Sequence, residues 1–461
     1  MGARGGGAKL LFVGDIHLGR RPARLPEHLA ELGLSPHELT PAAAWARTVE
    51  LAREGGAEAV VLAGDVVDSP DDRFEAYAPL ASGVRELVAA GIPVLAVAGN
   101  HDVEALPRLA DQIPEFTLLG RGGRWETRTL RGRSGTPVRL LGWSFPRRVV
   151  HENPLASLRV ESAPGIATLG VLHCDWGGAG GGPDRAGKSP YAPVPRAAFA
   201  DAPADAWLLG HVHQPSDLTG RRPVGYLGSL VGLDPGEPGP RGPWWVEVDG
   251  PGAVRAEPVP LAPLRWERED VPLDALESDG PLDDEDLADA LFAALRAGLE
   301  RVHARLRAGD ALAHARLVRC RLRLVGHTAG HRALRLLADP GSDDGSSSGG
   351  WGWPREHWDG VHYTVEKVVD EAAPVLDLPR LAEGSDPAAL CARRLLDLER
   401  GGEEADRLVR GATEELRRAA SGRSFVPLGA PDLAPERVRE LLCHAATRTL
   451  EDLLEQREGA T

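Results

Sequence analysis

Cysteine is scarce in this chain. Its 461 residues contain four, Cys174, Cys320, Cys391 and Cys443, far apart and with no CxxC pair. That excludes a disulfide framework or a zinc ribbon and makes a reducing cytoplasm the expected setting. No run of 18 apolar residues occurs, so no membrane span is expected. The opening MGARGGGAKLLFVGD has too short an apolar stretch for a signal peptide. Lysine is nearly missing: Lys9, Lys188 and Lys367 are three of 53 basic residues. The arginine excess accompanies abundant Ala, Gly and Pro, so no single arginine carries meaning by its presence alone. The formal net charge of −15 argues against a nucleic-acid partner for the chain taken whole. The acidity is uneven, however. Residues 1–250 hold 25 Lys+Arg against 29 Asp+Glu, and residues 251–461 hold 28 against 39.

The length suits two or three domains. In the first half, apolar strands alternate with amphipathic helices. AKLLFVGD (8–15), AEAVVLAGD (57–65) and IPVLAVAGN (92–100) read as buried strands, and 40–56 and 74–91 read as helices. Continuous apolar strands separated by helices indicate parallel pairing. After residue 114 come short strands without long helices: FTLLG, RWETRTL, PVRLLGWSF, ATLGVLH, AWLLGH, VGYLGS and WWVEV. These predict a second, partly antiparallel sheet packed on the first, giving a four-layer α/β sandwich over 8–250. The Pro-rich stretch at 250–265 reads as a linker. A smaller α+β module follows at 262–385, with a helix at 283–307, an alternating strand at 315–326 and a low-complexity, disordered loop near 341–352. From 386 to 461 the chain reads as amphipathic helices.

Five short motifs fall at the C-terminal tips of predicted strands: GDIH (14–17), GD (64–65), GNHD (99–102), LHCD (172–175) and GHVH (210–213). Open α/β sheets carry their sites at those tips. The motifs supply Asp15, His17, Asp65, Asn100, His173, His211 and His213 as carboxylate, amide or imidazole ligands. One open site cannot use seven ligands. They suit two cations about 3.5–4 Å apart sharing a carboxylate, with Asp65 as the natural bridge. The donor mixture favours Mn²⁺, Fe²⁺ or Zn²⁺ over Mg²⁺ alone, with Mn²⁺ foremost. A lone histidine is more often a satisfied core residue, and ten of the 15 histidines lie outside the motifs. What carries the reading is five motifs in order, all at strand ends.

Together these residues resemble the calcineurin-like metallophosphoesterase superfamily, over residues 9 to about 250. The resemblance implies that Asp15, His17, Asp65 and His213 hold one metal while Asp65, Asn100, His173 and His211 hold the other. It also implies that His101 acts as the acid near the leaving group, oriented by Asp102. More finely, GDIHLGRRP, AGDVVDS, AGNHD, LLGHVHQP and YLGSLVGLDPGE followed by WWVEVD resemble the SbcD-type DNA double-strand-break nucleases, and SPYAP before GHVH is similar to their YhaO-like bacterial branch. That implies a DNA exonuclease with a capping domain and C-terminal helices gripping an SMC-like ATPase of the SbcC/YhaN type, and a homodimer. Some superfamily members carry histidine where this chain has Asp68; SbcD-like members have aspartate there.

A DNA substrate needs a positive track. Arg20 and Arg21, directly after the first motif, are the best-placed phosphate contacts. Residues 121–148 hold eight arginines against Glu126, with Trp125, Trp143 and Phe145 interleaved. The aromatics there either stack on frayed bases or belong to the core. Arg319, Arg321 and Arg323 share one face of a strand and either extend the track or form a solvated face. GPDRAGKS (182–189) matches the phosphate-loop pattern letter for letter. It lacks a strand immediately before it, and Pro190, Pro193 and Pro195 block a helix after it. It reads as a chance match, so ATP hydrolysis would belong to the partner. Two alternatives remain: another enzyme on the same fold, either a phosphoprotein phosphatase, which GDVVDSP and GNHD fit less well, or a cyclic-nucleotide phosphodiesterase, which leaves the large C-terminal region unexplained; and a non-catalytic scaffold, which the full ligand set disfavours.

Overall fold

The computed structural model describes residues 7–161, 163–177, 191–273, 284–309, 311–328, 352–374, 376–420 and 433–458. GPDRAGKS lies outside them, as do nearly all of the low-complexity stretch and the start of SPYAP. The apolar runs of the first half form β1 (Ala8–Val13), β2 (Val60–Ala63), β3 (Val94–Val97) and β4 (Phe116–Leu118). Between them lie α1 (Pro41–Glu54), α2 (Arg73–Ala89) and α3 (Ala105–Gln112). α1 starts where the Thr40 hydroxyl accepts the Ala43 N–H with Pro41 in the first turn, and it stops at Gly55. β5 (Glu126–Arg131), β6 (Pro137–Trp143), β7 (Ala167–His173), β8 (Ala206–Gly210) and β9 (Val224–Tyr226) follow, then β10 (Trp244–Gly250) and β11 (Ala253–Pro258).

Two sheets face each other. The first has the order β11-β10-β1-β2-β3-β4, with β1 to β4 parallel and the β10–β11 hairpin antiparallel against β1; the second is β5-β6-β7-β8-β9, parallel except for β5. The period of two along each strand builds the layers. Leu10 and Phe12 of β1 join Val61, Leu95, Val97, Leu140, Leu169, Val171 and Leu208 between the sheets. Leu11 and Val13 turn to the other face, against Trp45, Val49, Leu80, Val84, Leu106 and Leu109 of the helices. The outer face of the second sheet buries Trp143, Phe145, Leu172, Phe199 and Trp207. Among the described residues it is covered by loops and the short 3-10 turns Pro154–Ser157 and Arg196–Phe199. The chain is α/β, with helices, sheet, sheet and turns in successive layers.

Three strand expectations differ. FTLLG and WWVEV belong to the first sheet, not the second: β4 extends it after the β3–α3–β4 crossover, and β10 adds to β1. β10 alternates Trp244, Val246 and Val248 inward with Glu247 and Asp249 outward, the pattern of an antiparallel strand near a sheet edge. The Pro-rich stretch read as a linker contains β11, an edge strand. There the missing N–H groups of proline do little harm.

Beyond these sheets the chain continues as a stretch of mixed elements: β12 (Leu264–Pro272), α4 (Asp284–Ala308), β13 (Leu317–Val325), β14 (His327–Thr328), β15 (Arg355–Trp358), β16 (Val361–Asp370) and β17 (Ala373–Pro374). Its four-stranded sheet has the order β12-β13-β16-β15. By contact pattern, the described residues within Met1–Pro272, Ala288–Leu324 and Arg335–Asp370 form one compact unit, and those within Leu273–Leu287, Val325–Leu334 and Glu371–Thr461 form a second. In the first, Ala262, Leu264, Trp266 and Leu317 continue the helix-side core, and the Trp266 indole N–H donates to the Gly232 carbonyl at 2.9 Å. The second holds α5 (Leu378–Ala382), α6 (Pro387–Arg400), α7 (Glu403–Ala420) and α8 (Pro435–Glu458). There Ala388, Ala392 and Leu395 pack on Leu450, and Leu398 on Val409 and Val438. Among the described residues, no helix is long and apolar enough to cross a membrane.

Candidate metal centre

The five motifs converge where β1, β2, β3, β7 and β8 end. The backbone there is forced into conformations that side chains avoid. Asp15, His17, Asp65 and His211 have φ of 31°, 55°, 46° and 110°. Each costs about 1–3 kcal/mol and persists only where its surroundings impose it. The glycine of GNHD has a steric reason: a Cβ on Gly99 would lie 2.1 Å from Asp65 Oδ1. The glycine of GD has another, because at φ 91° a Cβ on Gly64 would lie 2.6 Å from His173 Nδ1.

Four imidazoles are oriented by acceptors on Nδ1. His17 Nδ1–H donates to Asp68 Oδ1 at 2.8 Å and His213 Nδ1–H to Glu237 Oε1 at 2.6 Å. His173 Nδ1–H donates to the Ala63 carbonyl at 3.1 Å, and His101 Nδ1–H to the Asp68 carbonyl at 2.8 Å. These partners fix the tautomers and leave each Nε2 as a lone-pair donor. His17 Nε2 and His213 Nε2 then face each other at 3.0 Å. His173 Nε2 faces Asn100 Oδ1 at 3.1 Å and Asp65 Oδ2 at 3.3 Å. Lone pairs so close repel unless a proton or cation lies between them.

Three groups converge tightly enough to share an ion: Asp15, His17 and His213; Asp15, Asp65 and His173; and His17, Asp68 and His101. Asp65 Oδ2 stands 3.9 Å from His17 Nε2 as well as 3.3 Å from His173, so it lies between the first two groups. The donor set is buried carboxylate, imidazole and amide oxygen, with outer carboxylates on the ring N–H groups. It fits two divalent cations. His211 stands beside these groups: its ring centroid is 5.2 Å from that of His173, and its backbone N–H donates to Asp15 Oδ1 at 3.0 Å and Oδ2 at 3.2 Å.

The protein's own charges pull these groups apart. Burial acts to raise Asp65, but the attraction of His173, His17 and His101 overrides it and holds the carboxyl below the usual range. Burial is the main reason Asp15 is raised. His173 is pushed up to about 9, because Asp65, Asp15 and Asp102 outweigh its burial. His211 is pushed down to about 3 by burial and by His173, so it is neutral at neutral pH. Burial and Asp65 raise Asp102 to about 7 against the bonds it accepts from Gly99 and Val66.

The Asp102 carboxylate is hydrogen-bonded to backbone rather than to the His101 ring. It accepts the Gly99 N–H at 2.7 Å and the Val66 N–H at 2.7 Å, pinning the GNHD turn to the segment after β2. The Asp68 carbonyl orients His101 instead. Two further residues escaped the motif reading. Asp68 was seen only as a departure from a pattern, and its carboxylate holds His17. Glu237, inside YLGSLVGLDPGE, holds His213 and also accepts the Ser229 hydroxyl and the Leu233 N–H, both at 3.0 Å. The signal for Glu237 was a charged residue closing an apolar run.

Arg20 is half-buried, with Nη1 3.8 Å from Asp68 Oδ1; Arg21 is exposed. In 121–148 the aromatics belong to the core: Trp143 and Phe145 are buried, and the Trp125 indole donates to the Pro154 carbonyl at 3.0 Å. Buried as they are, Trp143 and Phe145 do not present a face to a base. Arg121 pairs with Asp111 and Arg147 with Glu152, and Arg139 is buried, while Arg124, Arg128, Arg131 and Arg148 are exposed. The strand face of Arg319, Arg321 and Arg323 is not simply solvated. Arg319 is buried, Arg321 pairs with Glu366 and Arg323 with Asp270.

A layered pair of sheets with carboxylates, histidines and an asparagine gathered at the strand ends defines a metal-dependent hydrolase of the metallophosphoesterase class. Residues 8–215 match the family model described as Calcineurin-like phosphoesterase, and over that stretch the chain is a calcineurin-like metallophosphoesterase domain. Calcineurin-like phosphoesterases bind two divalent metals. The chain is 26% identical over 210 residues to the uncharacterized metallophosphoesterase YhaO of Bacillus subtilis, covering 45% of this chain and 50% of that protein. It is 36% identical over 98 residues to the DNA double-strand break repair protein Mre11 of Aeropyrum pernix, covering 21% of this chain and 22% of that one. The matches thus span half or less of either relative. A solved dimetal phosphatase from Danio rerio aligns with 53% of this chain and 93% of its own, at 13% identity and a TM-score of 0.33.

Proposed function

We propose that the chain is a dimetal phosphodiesterase acting on DNA, an SbcD/YhaO-like exonuclease in DNA repair. The observation that carries the hydrolytic reading is the facing pair of His17 Nε2 and His213 Nε2 at 3.0 Å, with Asp65 set between them and the His173–Asn100 pair. Asp15, His17, Asp65 and His213 would hold one cation, and Asp65, Asn100, His173 and His211 the other. Two divalent cations, Mn²⁺ foremost, would lower the pKa of a water towards neutrality and neutralise charge on the phosphoryl oxygens. His101 has its Nδ1–H committed to the Asp68 carbonyl, so its Nε2 is the edge that handles the proton of the departing sugar oxygen. Asp102 fixes the turn that carries His101. Arg20 and Arg21 flank the site and engage neighbouring phosphates.

Likeness to the archaeal DNA double-strand break repair protein Mre11 supports the DNA substrate. The partners that follow are an SMC-like ATPase of the SbcC/YhaN type, docking on the C-terminal helices, and a second copy of this chain. The deciding experiment measures metal content, then compares digestion of linear single- and double-stranded DNA in Mn²⁺, with and without the ATPase, against cyclic nucleotides and a phosphoprotein. Hydrolysis of either small substrate class with DNA left intact would replace the substrate assignment. Purified protein that takes up no metal would remove the hydrolytic reading.

A further inference from the structure

Outside the set of metal ligands, one buried cation lacks the partners its chemistry demands. Arg319 on β13 is 6% exposed. Among the described residues its one hydrogen bond is long, Nη1 to Thr364 Oγ1 at 3.4 Å; its Nε has no partner, and it makes no ion pair. Its guanidinium lies 6.0 Å from the centre of the Trp266 ring. The acid that acts on it is Glu366, which is already engaged: it accepts Arg321 Nε at 2.9 Å, Arg321 Nη2 at 3.2 Å and Arg24 Nη1 at 3.2 Å. Two guanidinium groups are therefore paired with this carboxylate, and the third, Arg319, feels its charge without pairing with it. His28, four residues beyond Arg24, has a buried Nε2 without a partner as well. Arg24 is held at φ 50°, a conformation that non-glycine residues avoid. An uncompensated buried guanidinium is unfavourable, and unpaired buried donors usually mark a missing acceptor.

We propose that Arg24, Arg319 and Arg321 form a phosphate-binding site in the first compact unit, made of residues other than the metal ligands. A phosphate group supplies both the missing negative charge and the paired oxygen acceptors that a guanidinium fork matches. Arg24 lies four residues along the same loop from Arg20, which stands beside Asp68. Assigning the phosphate to a nucleic-acid backbone rests on the function proposed above; the site itself does not.

The test uses the full chain stripped of metal by chelation, so that phosphate has no cation to bind. Inorganic phosphate is titrated against chloride at matched ionic strength, followed by calorimetry and thermal midpoint. The wild type is expected to bind phosphate saturably. Arg24→Gln alters an exposed side chain and should weaken binding roughly tenfold, the loss of one charge-assisted contact. Arg319→Gln should weaken it at least as much, and Glu366→Gln, by removing the competing carboxylate, should tighten it. In a second arm, a single-stranded oligonucleotide is bound at several salt concentrations. A slope of log K against log salt that is smaller by about 0.7 in Arg24→Gln assigns the site to a backbone phosphate. An unchanged slope with weakened inorganic phosphate binding assigns it to free phosphate. Wild-type protein that does not bind phosphate, or equal binding by all three variants, overturns the site. DNA hydrolysis by the metal-loaded wild type judges the proposed function separately.

Discussion

Glu237→Gln separates geometry from charge at the metal centre. The Gln carbonyl can still accept the His213 Nδ1–H that Glu237 Oε1 accepts at 2.6 Å. The amide nitrogen then replaces Oε2, which accepts the Ser229 hydroxyl and the Leu233 N–H. Ser229 can rotate to accept instead, but the Leu233 N–H cannot. A buried N–H left unpaired costs about 1–3 kcal/mol of stability. The lost charge acts elsewhere, by making His213 a poorer donor. Loss of such an outer partner weakens metal binding about 10–100-fold, or roughly 1.4–2.7 kcal/mol. Urea unfolding of chelator-treated protein reads the first effect, and titration with Mn²⁺ reads the second. One of two metal equivalents should weaken while the other holds. Two equivalents at wild-type affinity, with an unshifted unfolding midpoint, would refute the claim that Glu237 holds His213 as a ligand.

His101→Gln should retain both metals and lose about 10²–10⁴-fold in turnover, measured as kcat on a phosphodiester alongside metal analysis. Gly99→Ala should destabilise the protein by about 1–3 kcal/mol and release metal, because its Cβ would intrude on Asp65 Oδ1. Wild-type metal content in that variant would count against the close approach. In chelated protein, His173 titrates near 9 when folded, against an ordinary value of 6.5. Its raised pKa means that the folded state binds the proton more tightly. The stabilisation is therefore complete below pH 6.5 and is lost as pH rises through about 9. A urea midpoint that stays flat across that window would contradict the assignment.

Much of the site was legible because its residues cluster in short motifs after apolar runs, and a strand ending in Gly-Asp or Gly-Asn-His-Asp announces itself locally. What could not be read was pairing across long separations. Glu237 and Asp68 matter through the imidazoles they hold, 24 and 51 residues away. The role of Asp102 looked like that of a neighbour to His101, yet its carboxylate reaches back to Gly99 and Val66. Sheet membership failed similarly: FTLLG and WWVEV carry strand patterns that fit either sheet, and only the crossover and the β1–β10 pairing decide between them. Proline at 258 and 260 suggested a linker, because composition does not distinguish an edge strand from a connection. The aromatics of 121–148 were ambiguous for a different reason, since a ring that packs and a ring that stacks on a base look alike in one dimension.

The antiparallel hairpin of β10 and β11 has a consequence for how the molecule is made. β1, the strand that leads to Asp15, stays an open edge until Trp244–Val248 have left the ribosome. A fragment ending at residue 215 would keep all seven ligand side chains yet present bare amides along β1, inviting a second chain to add there. The donor atoms are therefore all made before the strand that closes the edge of β1 exists.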